Sequence, residues 1–143
     1  MSDYRQLLVA VDLSDQSRAI AAKSVELARQ WQAQLRLLHV IEFVPVEPMS
    51  DALVPVVQID DRVIARAREQ MQALATALGI PNENCRVATG NVKAEILRQA
   101  RELNADLIVL GCRERHGLSI LVNLTEDTVL HGAPCDVLAM RVR

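Results

Sequence analysis

Aromatic residues are nearly missing from this chain: Tyr4, Trp31 and Phe43 make up 2% of its 143 residues. Its core must therefore be aliphatic, built from Val, Leu, Ile and Ala. An excess of charge of either sign is also lacking. Sixteen Lys and Arg stand against eighteen Asp and Glu, a net charge of −2. A non-specific nucleic-acid binder needs a dense basic surface, so no nucleic-acid partner is expected. No apolar run approaches the roughly 20 residues that span a bilayer, and no membrane partner is expected either. Leu7 to Val11 is too short for a signal peptide and has no basic flank before it. Cys85, Cys112 and Cys135 are odd in number and widely spaced. They match neither a disulfide framework nor a CxxC zinc site. The expectation is reduced thiols in a cytoplasmic protein without a metal.

Catalytic signatures are absent as well. The chain has no GxSxG elbow, no HExxH, no Walker A motif and no GxGxxG after its first apolar run. What remains is one domain over residues 1–143, half hydrophobic and one quarter charged. A chain of this length buries roughly 70% of the surface it exposes when unfolded.

The apolar pattern alternates between two periods. Leu7 to Val11, Leu35 to Ile41, Cys85 to Thr89, Asp106 to Leu110 and Asp136 to Val142 read as strands. Their continuous apolar character suits parallel strands covered on both faces. Between them, Ile20, Ala21, Val25, Ala28 and Trp31 recur at helical spacing over residues 15–32, with Ser14 as the N-cap. Val63, Ala67, Met71, Leu74 and Leu78 mark a second helix from about residue 60, closed by Gly79 and Pro81. Val92, Ile96, Ala100 and Leu103 mark a third. Leu118, Leu121, Val122, Val129 and Leu130 mark a fourth, broken at Gly132-Ala133-Pro134. Residues 42–58, with Pro45, Pro48 and Pro55, read as a loop. Strands alternating with helices predict an α/β domain with a parallel sheet.

Ligands of such sheets bind beyond the carboxyl ends of the strands. There the sequence collects Asp12, Val40 to Glu42, Thr89-Gly90 and a polar 111–117 loop. Asp12 has two readings of equal weight: it holds a ribose hydroxyl or adenine edge, or it caps the following helix. His39 sits in an apolar strand and is read as a packed, hydrogen-bonded core histidine rather than a base. His116 is read as solvated, and His131 as a helix-closing residue. Cys112 lies beside Arg113 and Arg115, which can lower a thiol pKa. No resolving cysteine is near it in sequence, so it is read as a bystander. No residue is assigned a catalytic role.

Five segments together carry a resemblance. Val9-Ala10-Val11-Asp12-Leu13-Ser14, Leu38-His39-Val40, Gly90-Asn91-Val92 with Ile96, Asp106-Leu107-Ile108-Val109-Leu110-Gly111 and Ala133-Pro134-Cys135-Asp136-Val137-Leu138 resemble the universal stress proteins in order and spacing. The opening segment is most similar to the universal stress protein A branch. The resemblance implies a Rossmann-like, adenine nucleotide alpha hydrolase-like domain. Its five parallel strands would run 3-2-1-4-5, with helices on both faces. It also implies a homodimer formed through the last strand, acting in the stress response with a protein partner that the sequence does not identify.

One branch of that family binds ATP through G-x-x-G, then nine intervening residues, then G-[ST]. Laid on this chain, the glycine positions fall on Gly111, Glu114 and Leu124, and the hydroxyl position on Thr125. Two of three glycines are replaced. A carboxylate at Glu114 repels phosphate, and the Leu124 side chain crowds it. The resemblance thus implies a non-catalytic protein with no tightly bound cofactor. ATP on a degenerate phosphate loop is the alternative. Asp12 and Val40 match positions that meet ribose and adenine in the ATP-binding branch. The implied residual nucleotide site comprises Ala10, Val11, Asp12, Val40, Gly111, Arg113, Gly117 and Thr125.

Overall fold

The computed structural model of the chain describes residues 4–42, 61–113, 129 and 131–142. Its elements run β1 (Gln6–Ala10), α1 (Asp15–Trp31), β2 (Gln34–Glu42), α2 (Asp61–Leu78), a 3-10 turn (Asn82–Asn84), β3 (Cys85–Gly90), α3 (Val92–Glu102), β4 (Leu107–Arg113) and β5 (Asp136–Val142). The strands form one parallel sheet in the order β3-β2-β1-β4-β5. This is the order that the resemblance implies.

Strand residues alternate between two aliphatic layers. Leu7, Val9, Leu35, Leu37 and Val109 face one side, where they pack with Ile20, Ala21 and Ala28 of α1 and Met71 and Leu74 of α2. Leu8, Leu38, Ile108 and Leu110 face the other, with Ile96 and Ala100 of α3 and Val129. Each covered face explains why the strands read as unbroken apolar runs. Val129, His131 and Gly132 have helical backbone. The rest of the expected fourth helix and loop 43–58 lie outside the described residues.

The helix ends follow their sequence signals. Ser14 caps α1, its side chain accepting from the Ser17 backbone N–H at 3.2 Å. Asn91 caps α3 in the same way from Ala94 N–H at 3.0 Å. Gly79 closes α2 at φ 70°. The Ile80 N–H then reaches the Ala75 carbonyl at 2.8 Å, and the Gly79 N–H the Thr76 carbonyl at 3.3 Å. That pair of bonds is a Schellman motif.

Several strand boundaries differ from the sequence expectation: Glu42, expected in the loop, ends β2, and Gly90, expected as a turn, ends β3, because the two pair with each other. β1 ends at Ala10, with Val11 just beyond it, although the Val11 N–H still donates to the Leu38 carbonyl at 2.9 Å. β4 does not stop at Leu110. It continues through Gly111 and Cys112 to Arg113, because Met140, Arg141 and Val142 of β5 pair with these three residues. The start of the expected polar loop is therefore strand.

Candidate functional site

β1 sits at the centre of the sheet. The chain leaves it toward β2 on one side and later returns to β4 on the other. A cleft opens at such a reversal, beyond the carboxyl ends of the two strands. Here it is a cavity of about 200 Å³. Its walls are apolar: Val11, Ile20, Leu38, Val40, Ile96 and Leu110. Its polar lining comes from Asp12, Ser14, Gln16, Ser17 and His39, and Ala10 and Gly111 contribute at the strand ends.

The turn Asp12-Leu13-Ser14 shapes one rim. Asp12 Oδ1 accepts from both the backbone N–H and the hydroxyl of Ser14, an Asx turn. The Asp12 N–H donates to the Ser17 hydroxyl at 2.9 Å. Between them, Leu13 is held at φ 65°, a left-handed conformation that costs an ordinary residue about 1–2 kcal/mol. The Leu13 side chain packs against the α1/α2-side core, which offsets that cost. The helix-capping reading of Asp12 is thus realised through Ser14, while its carboxylate still lines the cavity.

His39 shapes another part. Its Nδ1 lies 2.8 Å from the Val11 carbonyl. A carbonyl only accepts, so Nδ1 carries the proton. In the neutral ring, Nε2 is then an acceptor. His39 is half-buried and hydrogen-bonded, as a core histidine would be, yet it also lines the cavity.

The residues read from sequence fall as follows. Ala10, Val11, Asp12, Val40 and Gly111 come together around this one cavity. Arg113 lies on β4 two residues beyond Gly111, and its side chain is outside the described set. Gly117 and Thr125 lie outside the described residues, as do Glu114, Leu124, Arg115 and His116. Ile41, Glu42, Thr89 and Gly90 are not among the described lining residues. Thr89 and Gly90 belong to edge strand β3, which β2 separates from β1. Sequence reasoning did not place Gln16, Ser17 or Val92 at the site. Their signal was position: each lies in the first turns of a helix that starts at this end of the sheet.

Burial raises the thiol pKa of Cys85. It also raises that of Cys135, helped by the nearby charges of Asp136 and Asp106. Neither sulfur is activated for attack. Among the described residues, no three His, Cys, Asp or Glu side chains converge as metal ligands, and no helix is long and apolar enough to cross a membrane.

The class defined by this fold and cleft is a doubly wound, Rossmann-like α/β protein with its cleft at the topological switch point. A model of the universal stress protein family matches residues 3–141. Universal stress protein A homolog 2 of Coxiella burnetii is 35% identical over 144 residues, covering 100% of this chain and 99% of that protein. This chain belongs to the universal stress protein family. Two solved structures share its fold. A universal stress protein in complex with cAMP matches with a TM-score of 0.65 at 23% identity, covering 97% of this chain and 98% of the other. The universal stress protein from Archaeoglobus fulgidus in complex with dAMP matches with a TM-score of 0.60 at 19% identity, covering 96% and 98%.

Proposed function

We propose that this chain is a non-catalytic universal stress protein whose switch-point cleft takes the adenosine end of a nucleotide and holds no triphosphate tightly. The observation that carries the reading is the cleft itself. At about 200 Å³ it is smaller than the usual 300–1,000 Å³ of a drug-sized site. Its apolar walls suit a base, and its polar lining suits a sugar. The cAMP and dAMP complexes of fold relatives agree with a monophosphate-sized ligand.

Two features disfavour a polyphosphate. Asp12 and Asp15 put carboxylates at the N-terminus of α1, where an anion would otherwise be welcome. Glu114 and Leu124 replace the phosphate-loop glycines. The expected absence of turnover is supported by how the two ionisable lining groups among the described residues are engaged. His39 gives Nδ1 to the Val11 carbonyl, and Asp12 gives Oδ1 to its own turn. Neither is arranged as the partner of the other.

Calorimetry with adenosine, AMP and Mg-ATP tests this. Adenosine and AMP should bind with dissociation constants of about 10–100 μM, and Mg-ATP no more tightly. A low-micromolar constant for ATP, about −8 kcal/mol, would favour the degenerate-loop reading instead. Ala10→Leu, which puts a larger side chain into the cavity, should weaken AMP at least tenfold. Glu114→Gly with Leu124→Gly should strengthen ATP if only the phosphate half has been lost.

The same reading includes a homodimer. β5 is an edge strand, and along it Val137, Leu138 and Met140 remain only half-buried. An apolar edge of this kind recruits a partner strand, and pairing about a two-fold axis uses one patch twice. Sedimentation at micromolar concentration should give a dimer. Ala139→Pro, which removes a backbone donor, should weaken it.

A further inference from the structure

The switch-point cleft bends round the carboxyl edge of the sheet, and its two sides differ in chemistry. Leu38 and Val40 of β2 belong to the layer under α3. With Val92, Ile96 and Leu110 they make that side of the cleft apolar. His39 lies between them on the strand, so alternation turns it to the opposite layer. Its register partner on β3, Val87, packs in that opposite layer with α1 and α2. There α1 adds Gln16 and Ser17 to the lining, and the turn before it adds Asp12 and Ser14, beside the apolar Val11 and Ile20. Among the described residues, every polar side chain lining the cleft thus comes from this second side.

His39 has a ring nitrogen to spare. Nδ1 carries the proton and donates it to the Val11 carbonyl at 2.8 Å. Nε2 of the neutral ring is then an acceptor. Among the described residues, nothing else hydrogen-bonds or pairs with the ring. Nor is Nε2 one of the buried side-chain atoms left without a partner. It is therefore an accessible acceptor, carried by a ring that lines the cleft and is oriented by its bond to Val11.

A fixed acceptor selects a ligand that brings a donor. Adenosine carries two kinds, the amino group of the base and the hydroxyls of the ribose. A planar base buries its faces best on the apolar side, which holds no polar side chain among the described residues. That leaves the sugar for the side that carries His39. A site built to hydrogen-bond a ligand hydroxyl rejects the analogue that lacks it.

We propose, on the strength of the adenosine reading above, that His39 is the residue by which the cleft selects a ribose. Nε2 accepts a hydrogen bond from a ribose hydroxyl, while the bond from Nδ1 to the Val11 carbonyl holds the ring in place. An asparagine would serve the Val11 bond alone; the imidazole adds the second nitrogen.

His39→Asn separates the two roles. Its amide NH₂ stands close to the place of Nδ1 and can still donate to the Val11 carbonyl, but nothing replaces Nε2. Calorimetry compares adenosine, 2′,3′-dideoxyadenosine and inosine on the unmodified chain and on His39→Asn. Adenosine should bind the unmodified chain about tenfold more tightly than dideoxyadenosine, and His39→Asn should cut that ratio to about twofold. The ratio of adenosine to inosine should be the same in both. A ratio to dideoxyadenosine near one in the unmodified chain, or unchanged in His39→Asn, would overturn the assignment. So would a loss of the inosine ratio instead, which would put the contact on the base. Should His39→Asn fail to fold, nitrogen NMR of the unmodified imidazole decides, at about pH 8, above the ordinary range of imidazole titration. Nε2 should start unprotonated and move toward the protonated position as adenosine saturates, and much less with dideoxyadenosine at equal saturation. An Nε2 resonance that ignores adenosine would overturn the assignment. Absence of adenosine binding to the unmodified chain is a separate failure, of the cleft reading itself, and the ribose contact falls with it.

Discussion

The two ends of the sheet are held by different kinds of hydrogen bond. At the amino end, partners come from opposite ends of the chain. Asp106 Oδ2 accepts from the backbone N–H groups of Arg5 and Gln6 at 2.8 and 2.9 Å, across 101 and 100 residues of sequence. The Asp106 N–H returns a bond to the Gln6 carbonyl at 2.8 Å. Tyr4 donates to Asp136 at 2.9 Å across 132 residues and packs against Trp31 with ring centroids 5.0 Å apart. One carboxylate thus ties the entry of β4 to that of β1, and one phenol ties the chain just before β1 to β5. At the carboxyl end, the bonds around Asp12, Ser14 and Ser17 span only two to five residues, and His39 Nδ1 donates to the Val11 carbonyl across 28. The first group shapes a turn, the second ties β2 to the end of β1, and the cavity lies beside both. Under the proposed function, side-chain bonds between residues far apart in sequence fix the entries of β1, β4 and β5 at one end of the sheet, and the ligand cleft lies at the other.

If that division is right, substitutions at the two ends must differ in what they damage. Asp106→Ala removes two charge-assisted bonds and should lower stability by about 2 kcal/mol in urea unfolding. It should leave AMP affinity unchanged. A loss of affinity larger than twofold would blur the separation. Asp12→Ala should cost about 1 kcal/mol through loss of the Asx turn, and Asp12→Asn, which keeps Oδ1, much less. Its signature is in binding: Asp12→Ala should weaken adenosine severalfold, because the rim of the cleft loses its shape. A stable Asp12→Ala protein with unaltered adenosine affinity would remove Asp12 from the site.

The smallest effect belongs to an ion pair on α3. The hydrogen bond from Arg98 holds the Glu95 carboxyl below its ordinary value of 4.5. A carboxylate with a lowered folded-state pKa stabilises the fold above its unfolded pKa. That contribution is lost as the pH falls through the folded value. Glu95→Gln should therefore be slightly less stable than the parent at pH 7 and equal to it near pH 2. Arg98 is exposed and the pair is partly screened by water, so the difference should be smaller than that at Asp12. It should also shrink in high salt.

What could be read from sequence follows the same division. The cleft residues Val11, Asp12, Val40 and Gly111 stand at the ends of apolar runs, where local pattern marks a strand finishing. Ser14 and Gly79 announce helix ends by residue type alone. Asp106 reads as an ordinary strand-opening residue, because its partners are brought close only when β4 packs against β1. The full length of β4 was hidden for a related reason: Gly111 looks like a terminator until β5 lies beside it. Gln32 and Asn104 end α1 and α3 in left-handed conformations at φ 52° and 51°, positions where glycine is the usual signal. The cavity between β2, β3 and α3 was equally invisible, since Arg36, Arg86 and Gln99 meet only through the register of β2 with β3 and the seat of α3.

Amide NMR during an AMP titration decides whether the switch-point cleft takes the adenosine end of a nucleotide, because each strand end reports separately. Saturable shifts should appear at Val11, Asp12, Val40 and Gly111, with Arg5, Gln6 and Asp106 unmoved. An unchanged spectrum at millimolar AMP, or shifts centred on the Asp106 end, would contradict the adenosine reading.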